Sequence, residues 1–340
     1  MPNDATCSAD SNRWRVGPAD TSVAEANRGC PLSVNLAVTL KCNYDCRFCF
    51  GKYRSLRRTM DDSRLLEIPG LLADAGCRKI TFEGGEPLLY PRIFDLVDVA
   101  KEVGLTTCLV TNGSLLTSAK LERLSETLDW LGLSVDSARE EVEVALGRGY
   151  GNHVSHTTRV ANWAHDLGVA LKVNSVITKL NYRENMTEFI GSLGPRRFKA
   201  FQMLAIRGEN EIAVDGLGIG PSEFRHFVEA HRSLDAYGIR FVPETQEDMI
   251  GSYIMMQPDG TFYSNLGHRY TYGQRSIFEG GVQSALKDAG WDSRKFLRRG
   301  GCYPWVLEKG SLPRGESMGD GGETPSGPSH GVRGGDRLGL

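Results

Sequence analysis

The sequence predicts an α/β fold built on a parallel sheet. Two observations carry this. Short apolar runs alternate with helical patterns six times between residues 31 and 220, the spacing of parallel strands joined by crossover helices. Each apolar run also ends in a polar or glycine-rich stretch: KCNYDC, EGGEP, TNGS, SVDS, NSVIT and AIRGEN. In α/β sheets, sites form at the carboxyl ends of the strands, so these six loops are expected to face one site.

The elements follow in order. PLSVNLAVTL is the first strand and stops just before a cysteine cluster. DDSRLLEIPGLLADAG reads as one helix from Asp61 or Asp62 to Gly76, with Pro69 as its weak point. CRKITFEGG is the second strand. Helix YPRIFDLVDVAKEVG and strand LTTCLVTNG come next, then helix SAKLERLSETL and strand DWLGLSVDS. HVSHTTRVANWAHDLG, VALKVNSVIT, YRENMTEFIGSLG and RRFKAFQMLAI repeat the alternation. Beyond residue 220, PSEFRHFVEAHRSLDAYG is one more helix, and SYIMMQPDGTFYSN is a hairpin around Pro258-Asp259-Gly260. GGVQSALKDAGWDSRKFLRRGGCYPW is a helical segment with a basic end. From Ser311 the chain holds nine glycines, no aromatic residue and no periodicity, the signature of disorder. The expected organisation is a polar arm (1–30), a strand–helix body (31–220), a C-terminal extension (221–309) and a glycine-rich tail (310–340).

Bulk properties exclude several classes. The 340 residues suffice for one large α/β domain or two smaller ones, and a net charge of −2 argues against nucleic-acid binding through a basic surface. A local basic pocket for a small anion remains compatible with it. The opening MPNDATCSADSNRWRV has neither an apolar signal core nor an amphipathic membrane helix, and no apolar run is long enough to span a bilayer. A cytoplasmic protein without a membrane partner is therefore expected. Eight cysteines are too sparse for a disulfide scaffold.

Three of those cysteines, Cys42, Cys46 and Cys49, fall within eight positions. A structural zinc normally takes four protein ligands, and no histidine follows at zinc-finger spacing. A disulfide leaves one thiol over and does not suit a reducing compartment. A [4Fe–4S] cluster is held by thiolates, and with three of them one iron keeps an open position.

The spacing C-x-x-x-C-x-x-C after a first strand, with Phe48 before the last cysteine, resembles the radical S-adenosylmethionine (SAM) superfamily. EGGEP, Glu83 to Pro87, follows the second strand and resembles its Gly-Gly-Glu motif. The resemblance implies a partial six-stranded (β/α) barrel. It also implies a [4Fe–4S] cluster on the three cysteines whose open iron chelates SAM, and reductive cleavage to methionine and a 5′-deoxyadenosyl radical. Gly84, Gly85 and Glu86 would bind the SAM amino group. Asn112, Ser134, Asp136 and Asn174 match positions that contact SAM.

Beyond the cluster, SVN, CNYDCRFCF, KITFEGGEP, VTNGSLL, ALGRGYGNHV, KVNSVIT, FKAFQMLAIRGEN, VPE, SYIMM and FLRRGGCYPW resemble the viperins from about Ser33 to Trp305. That resemblance implies an enzyme that binds CTP, UTP or GTP and removes hydrogen from ribose C4′. Loss of the 3′-hydroxyl then gives a 3′-deoxy-3′,4′-didehydro nucleotide, a chain terminator in antiviral or phage defence. Asn35, Lys79, Lys199, Arg298 and Arg299 would hold the substrate, and Tyr253 would lie near the ribose as a proton or electron donor. A flavodoxin or ferredoxin would supply electrons. The loop GKYRSLRRTM and the glycine-rich end depart from the animal pattern and favour a prokaryotic type. The rivals are a GTP 3′,8-cyclase-like enzyme, which carries a second cluster on C-terminal cysteines, and a non-catalytic iron–sulfur sensor. Here only Cys302 lies late in the chain.

Overall fold

The structure is a computed structural model describing residues 31–52, 62–287 and 289–305. The expected arm, the tail and most of the loop after the cysteines lie outside the described residues. In chain order the elements are β1 (Ser33–Thr39), α1 (Asp62–Leu65), α2 (Ile68–Asp74), β2 (Lys79–Gly84), α3 (Ile93–Glu102), β3 (Thr106–Thr111), α4 (Ser118–Ser125) and β4 (Trp130–Ser134). These are followed by α5 (Glu140–Leu146), α6 (His153–Asp166), β5 (Ala170–Ile177), α7 (Thr187–Leu193), β6 (Arg197–Gln202), α8 (Glu211–Leu217), α9 (Pro221–Ala230) and β7 (Arg240–Glu244). The last elements among the described residues are α10 (Gln246–Met249), β8 (Met255–Met256), β9 (Thr261–Ser264), β10 (Thr271–Ser276), α11 (Ile277–Leu286) and α12 (Ser293–Arg298).

All ten strands form one sheet in the order β10-β9-β8-β1-β2-β3-β4-β5-β6-β7. The six expected strands are β1 to β6, parallel and in sequence order. Among the described residues the sheet does not close, as a partial barrel requires. The C-terminal extension is part of this sheet. It adds β7 parallel to β6, and on the other side β8 parallel to β1 with β9 and β10 antiparallel. Sequence reading missed β7, whose RFVPE contains a proline. Pro243 is tolerated because β7 is an edge strand.

Each strand is two-faced with period two. On β2, Ile80 and Phe82 are fully buried in the main apolar core, as are Leu171 and Val173 on β5 and Phe198 and Ala200 on β6. Burying a side chain of this size stabilises the fold by about 1.5–3 kcal/mol. The alternate residues are polar or charged and point to the other face: Lys79, Thr81 and Glu83; Lys172 and Asn174; Arg197 and Lys199. That face is the wall of a cavity.

Two helices differ from expectation. The segment read as one helix to Gly76 is α1 and α2, broken at Leu66–Glu67, with Pro69 in the first turn of α2, where its missing N–H costs little. The helix read through Gly238 ends at Ala230 and continues as a 3₁₀ turn, Arg232–Tyr237, stopped by Gly238 at φ 69°. The hairpin at Pro258-Asp259-Gly260 is present as β8 and β9, and α5 was not foreseen.

Candidate active site

The cysteine loop leaves β1 at the carboxyl end of the sheet and is tied down on both sides. Arg47 N donates to Leu146 O of α5 (2.9 Å), and Asn210 Nδ2 donates to Phe48 O (2.7 Å). Cys49 N donates to Cys46 O (3.1 Å), and Tyr44 N donates to Cys42 Sγ (3.4 Å). Gly147, at φ +80°, lies so close that a Cβ there would sit 2.4 Å from Asp45 O. Burial pushes the Cys46 thiol up to about 12 and raises Cys42 and Cys49 as well, while Arg148 pulls all three down. Thiolates buried this way need a metal to hold them. Among the described residues no three His, Cys, Asp or Glu side chains converge on a single metal ion. A cluster does not ask for that, since each thiolate binds its own iron.

The glycine turn after β2 runs against the same loop. Gly85 N donates to Thr39 O (2.9 Å) and Glu86 N to Lys41 O (2.7 Å). A Cβ on Gly84 would meet Thr39 O at 2.2 Å, and one on Gly85 would meet Lys41 O at 2.0 Å. Gly84 and Gly85 line the cavity, but Glu86 does not. Its side chain is fully buried, and its carboxylate accepts from Thr111 Oγ1 (2.6 Å), Asn112 N (2.9 Å) and Leu88 N (3.1 Å). With both oxygens so engaged, Glu86 fastens β2 to β3, and a ligand at this turn would meet glycine backbone.

Asn112, Ser134, Asp136 and Asn174 all line the cavity together with Phe48. Asn112 follows β3 and is held by Asn43 and Ser114. Asn174 lies within β5 and not at its end, and its Oδ1 is buried without a hydrogen-bond partner. Asp136 pairs with buried Arg148 (2.5 Å) and accepts from Val176 N (2.8 Å). Burial disfavours the Arg148 charge, but Asp136, Cys46 and Glu143 outweigh that and hold it firmly protonated. Its guanidinium lies 5.5 Å from the Phe48 ring centre.

The cavity does not stop at the strand ends. It runs down the inner face to the amino ends of β2 and β6, where Lys79 and Arg197 begin their strands. In register, Lys172 stands beside Arg197 and Asn174 beside Lys199. The C-terminal segment closes this end. Lys79 Nζ donates to Tyr303 Oη (2.5 Å), Arg197 lies 3.9 Å over the Tyr303 ring, and Trp130 Nε1 donates to Trp305 O (2.8 Å). Arg299 covers the Tyr253 ring at 3.6 Å. Lys79, Lys172, Arg197, Lys199 and Arg299 therefore share one wall, faced by the carboxyl of Glu83, which burial pushes up to about 7. Buried cations are rare unless paired, and Arg197 Nε and Arg299 Nε have no hydrogen-bond partner.

Of the residues expected from sequence, the structure gathers all but two around one cavity: Cys42, Cys46, Cys49, Phe48, Gly84, Gly85, Asn112, Ser134, Asp136, Asn174, Asn35, Lys79, Lys199, Tyr253 and Arg299. Glu86 stands behind the wall, and Arg298 is exposed and does not line the cavity. Arg148, Lys172 and Arg197 were missed. The strand period would have found the last two, since each stands two residues before a residue already chosen, Asn174 and Lys199.

Comparison with known proteins fits this geometry. Residues 36–190 match the radical SAM superfamily. The chain is 36% identical to an S-adenosylmethionine-dependent nucleotide dehydratase of Flammeovirga pacifica, over 80% of this chain and 96% of that one. It is 35% identical to one of Lacinutrix mariniflava, covering 84% of this chain and 61% of that longer protein. Identity to RSAD2 of Danio rerio, of the same description, is 36% over 81% of this chain and 78% of that one. Among solved structures, Streptococcus suis SuiB bound to S-adenosylmethionine shares the fold, with a TM-score of 0.62 at 17% identity over 82% of this chain and 70% of that one. The cofactors of the superfamily are a [4Fe–4S] cluster and SAM, and the three clustered thiols, the glycine turn and the buried Arg148 fit both. No helix among the described residues is long and apolar enough to cross a membrane. This chain belongs to the S-adenosylmethionine-dependent nucleotide dehydratases of the radical SAM superfamily, the viperin family.

Proposed function

We propose that this protein dehydrates a nucleoside triphosphate to its 3′-deoxy-3′,4′-didehydro analogue. The observation that carries the reading is the wall of five cations at the end of the cavity away from the cysteines. A small sulfonium cofactor has no use for them, whereas a triphosphate supplies the missing anion. When bound, the cluster and SAM would supply a 5′-deoxyadenosyl radical able to take hydrogen from ribose C4′. The 3′-hydroxyl then leaves as water with uptake of one electron and one proton.

The chain's own residues have these roles. Cys42, Cys46 and Cys49 hold the cluster. The Gly84–Gly85 backbone, Ser134, Asn112 and the Asp136–Arg148 pair hold SAM, with Arg148 suited to its carboxylate. Lys79, Lys172, Arg197, Lys199 and Arg299 hold the phosphates, and Asn35 orients the sugar. Tyr253 keeps its proton because burial raises its hydroxyl well above the usual range. It is therefore a proton-bearing group at the ribose end. An external one-electron donor completes the balance. The product would terminate polymerase chains, a role in defence against phage.

The test is anaerobic turnover of the reconstituted enzyme with CTP, UTP and GTP in competition, read by mass. One nucleotide is expected to yield a product lighter by one water. SAM cleavage that no nucleotide stimulates contradicts the reading.

A further inference from the structure

Glu244, the last residue of β7, is a carboxylate 1% exposed beside the cations Lys199 and Arg299. It does not line the cavity but stands directly behind its wall. Its Oε1 meets Lys199 Nζ at 2.5 Å and Arg299 Nη1 at 3.5 Å, and its Oε2 accepts from the Tyr253 hydroxyl at 2.6 Å. The same Tyr253 oxygen accepts from Lys199 at 2.6 Å. One carboxylate thus ties together three groups from three parts of the chain: strand β6, the loop before β8 and the C-terminal segment.

We infer that Glu244 is the positioning residue of the phosphate pocket, holding Lys199 charged and Lys199, Arg299 and Tyr253 in one array before nucleotide arrives. The inference rests on the triphosphate reading of the pocket. Its physical basis is the isolation of Lys199. That side chain is buried, and the charged and titratable groups facing it are Glu244 of β7, Arg299 after α12, Lys172 of β5, Tyr253 and Glu83 of β2. Arg299 and Lys172 repel its charge, and Glu83, pushed up to about 7 by burial, is only partly ionised near neutral pH. Glu244 is the strongest favourable partner. Burial lowers Lys199 to about 7 even with Glu244 present. Glu244 stays ionised: burial would raise it, but Lys199 and Arg299 together hold it below the usual carboxylate range.

The sign follows. An anion in the pocket binds charged Lys199, so binding weakens as pH rises through about 7 and Lys199 loses its proton. Removing the Glu244 charge moves that weakening to lower pH.

The probe is inorganic tripolyphosphate, titrated calorimetrically into the cluster-loaded holoenzyme between about pH 6 and 9. In Glu244→Gln the midpoint is expected about one unit lower, with binding near pH 8 about tenfold weaker than wild type. Comparing variants at each pH cancels the ionisation of the probe. Glu244→Asp should keep the wild-type midpoint, because the charge remains. Lys199→Arg, which stays charged, should give a profile that no longer depends on whether residue 244 is Glu or Gln, the slope that remains being that of Glu83. A structural role alone would lower affinity equally at every pH. A Glu244→Gln profile that superimposes on wild type, or a midpoint that still moves on Glu244→Gln when residue 199 is Arg, overturns the inference and leaves the triphosphate reading standing. Wild type that binds no tripolyphosphate overturns both.

Discussion

At the residue scale, the sharpest case is Glu86. Its place in a Gly-Gly-Glu motif suggests a ligand contact, but its environment gives it a different task. It is fully buried behind the cavity wall and accepts hydrogen bonds from Thr111 at the end of β3, from Asn112 just after it, and from Leu88 in the turn that follows Glu86 itself. Glu86→Ala would orphan two backbone N–H groups and a hydroxyl, each costing about 1–3 kcal/mol. The apoprotein should then melt several degrees lower, measured by thermal denaturation without SAM. An unchanged melting curve with SAM affinity lost would instead make Glu86 a ligand contact. The grouping of Cys42, Cys46 and Cys49, by contrast, was legible in sequence, because their spacing within eight positions needs no coordinates. Arg148 was not legible, since its value lies in facing Asp136 and Cys46 across a loop.

At the scale of elements, what counts is how closely β1's loop and β2's turn approach. The backbone of Gly85 lies against Lys41, so a Cβ there would stand 2.0 Å from a carbonyl oxygen. Gly85→Ala must push the cysteine loop away from the sheet. Iron content and cluster absorbance after anaerobic reconstitution should fall to a small fraction of wild type, with the circular dichroism retained. Gly70→Ala in α2, with nothing within 4 Å, is the control and should load normally. Full iron in Gly85→Ala would contradict the packing. The parallel strands β1 to β6 were readable because their apolar runs are long and regularly spaced. β7 and β10 were not, because edge strands carry polar residues and a proline in place of an apolar run. The break before Pro69 was marked in the sequence, but the register of the two short helices depends on packing.

At the scale of the whole molecule, one face of a ten-stranded open sheet carries two sites in line. The cysteines and glycines stand at the carboxyl ends of the strands, and the cations stand toward the amino ends. Sequence placed the first site where α/β sheets usually carry one. It left the second less defined, because its cations come from β2, β5, β6 and the segment after α12, which only register and packing bring together. The C-terminal segment seals the cationic end through Arg299, Tyr303 and Trp305. On the proposed reading, this arrangement would set a radical generated near the cysteines above a sugar whose phosphates are held below. The proposed function turns on hydrogen removal from ribose C4′ of the nucleotide. Its most direct test is anaerobic turnover with the preferred triphosphate deuterated at C4′, followed by mass analysis of the 5′-deoxyadenosine formed. The account predicts deuterium in the 5′-deoxyadenosine, and unlabelled 5′-deoxyadenosine at full turnover would contradict it.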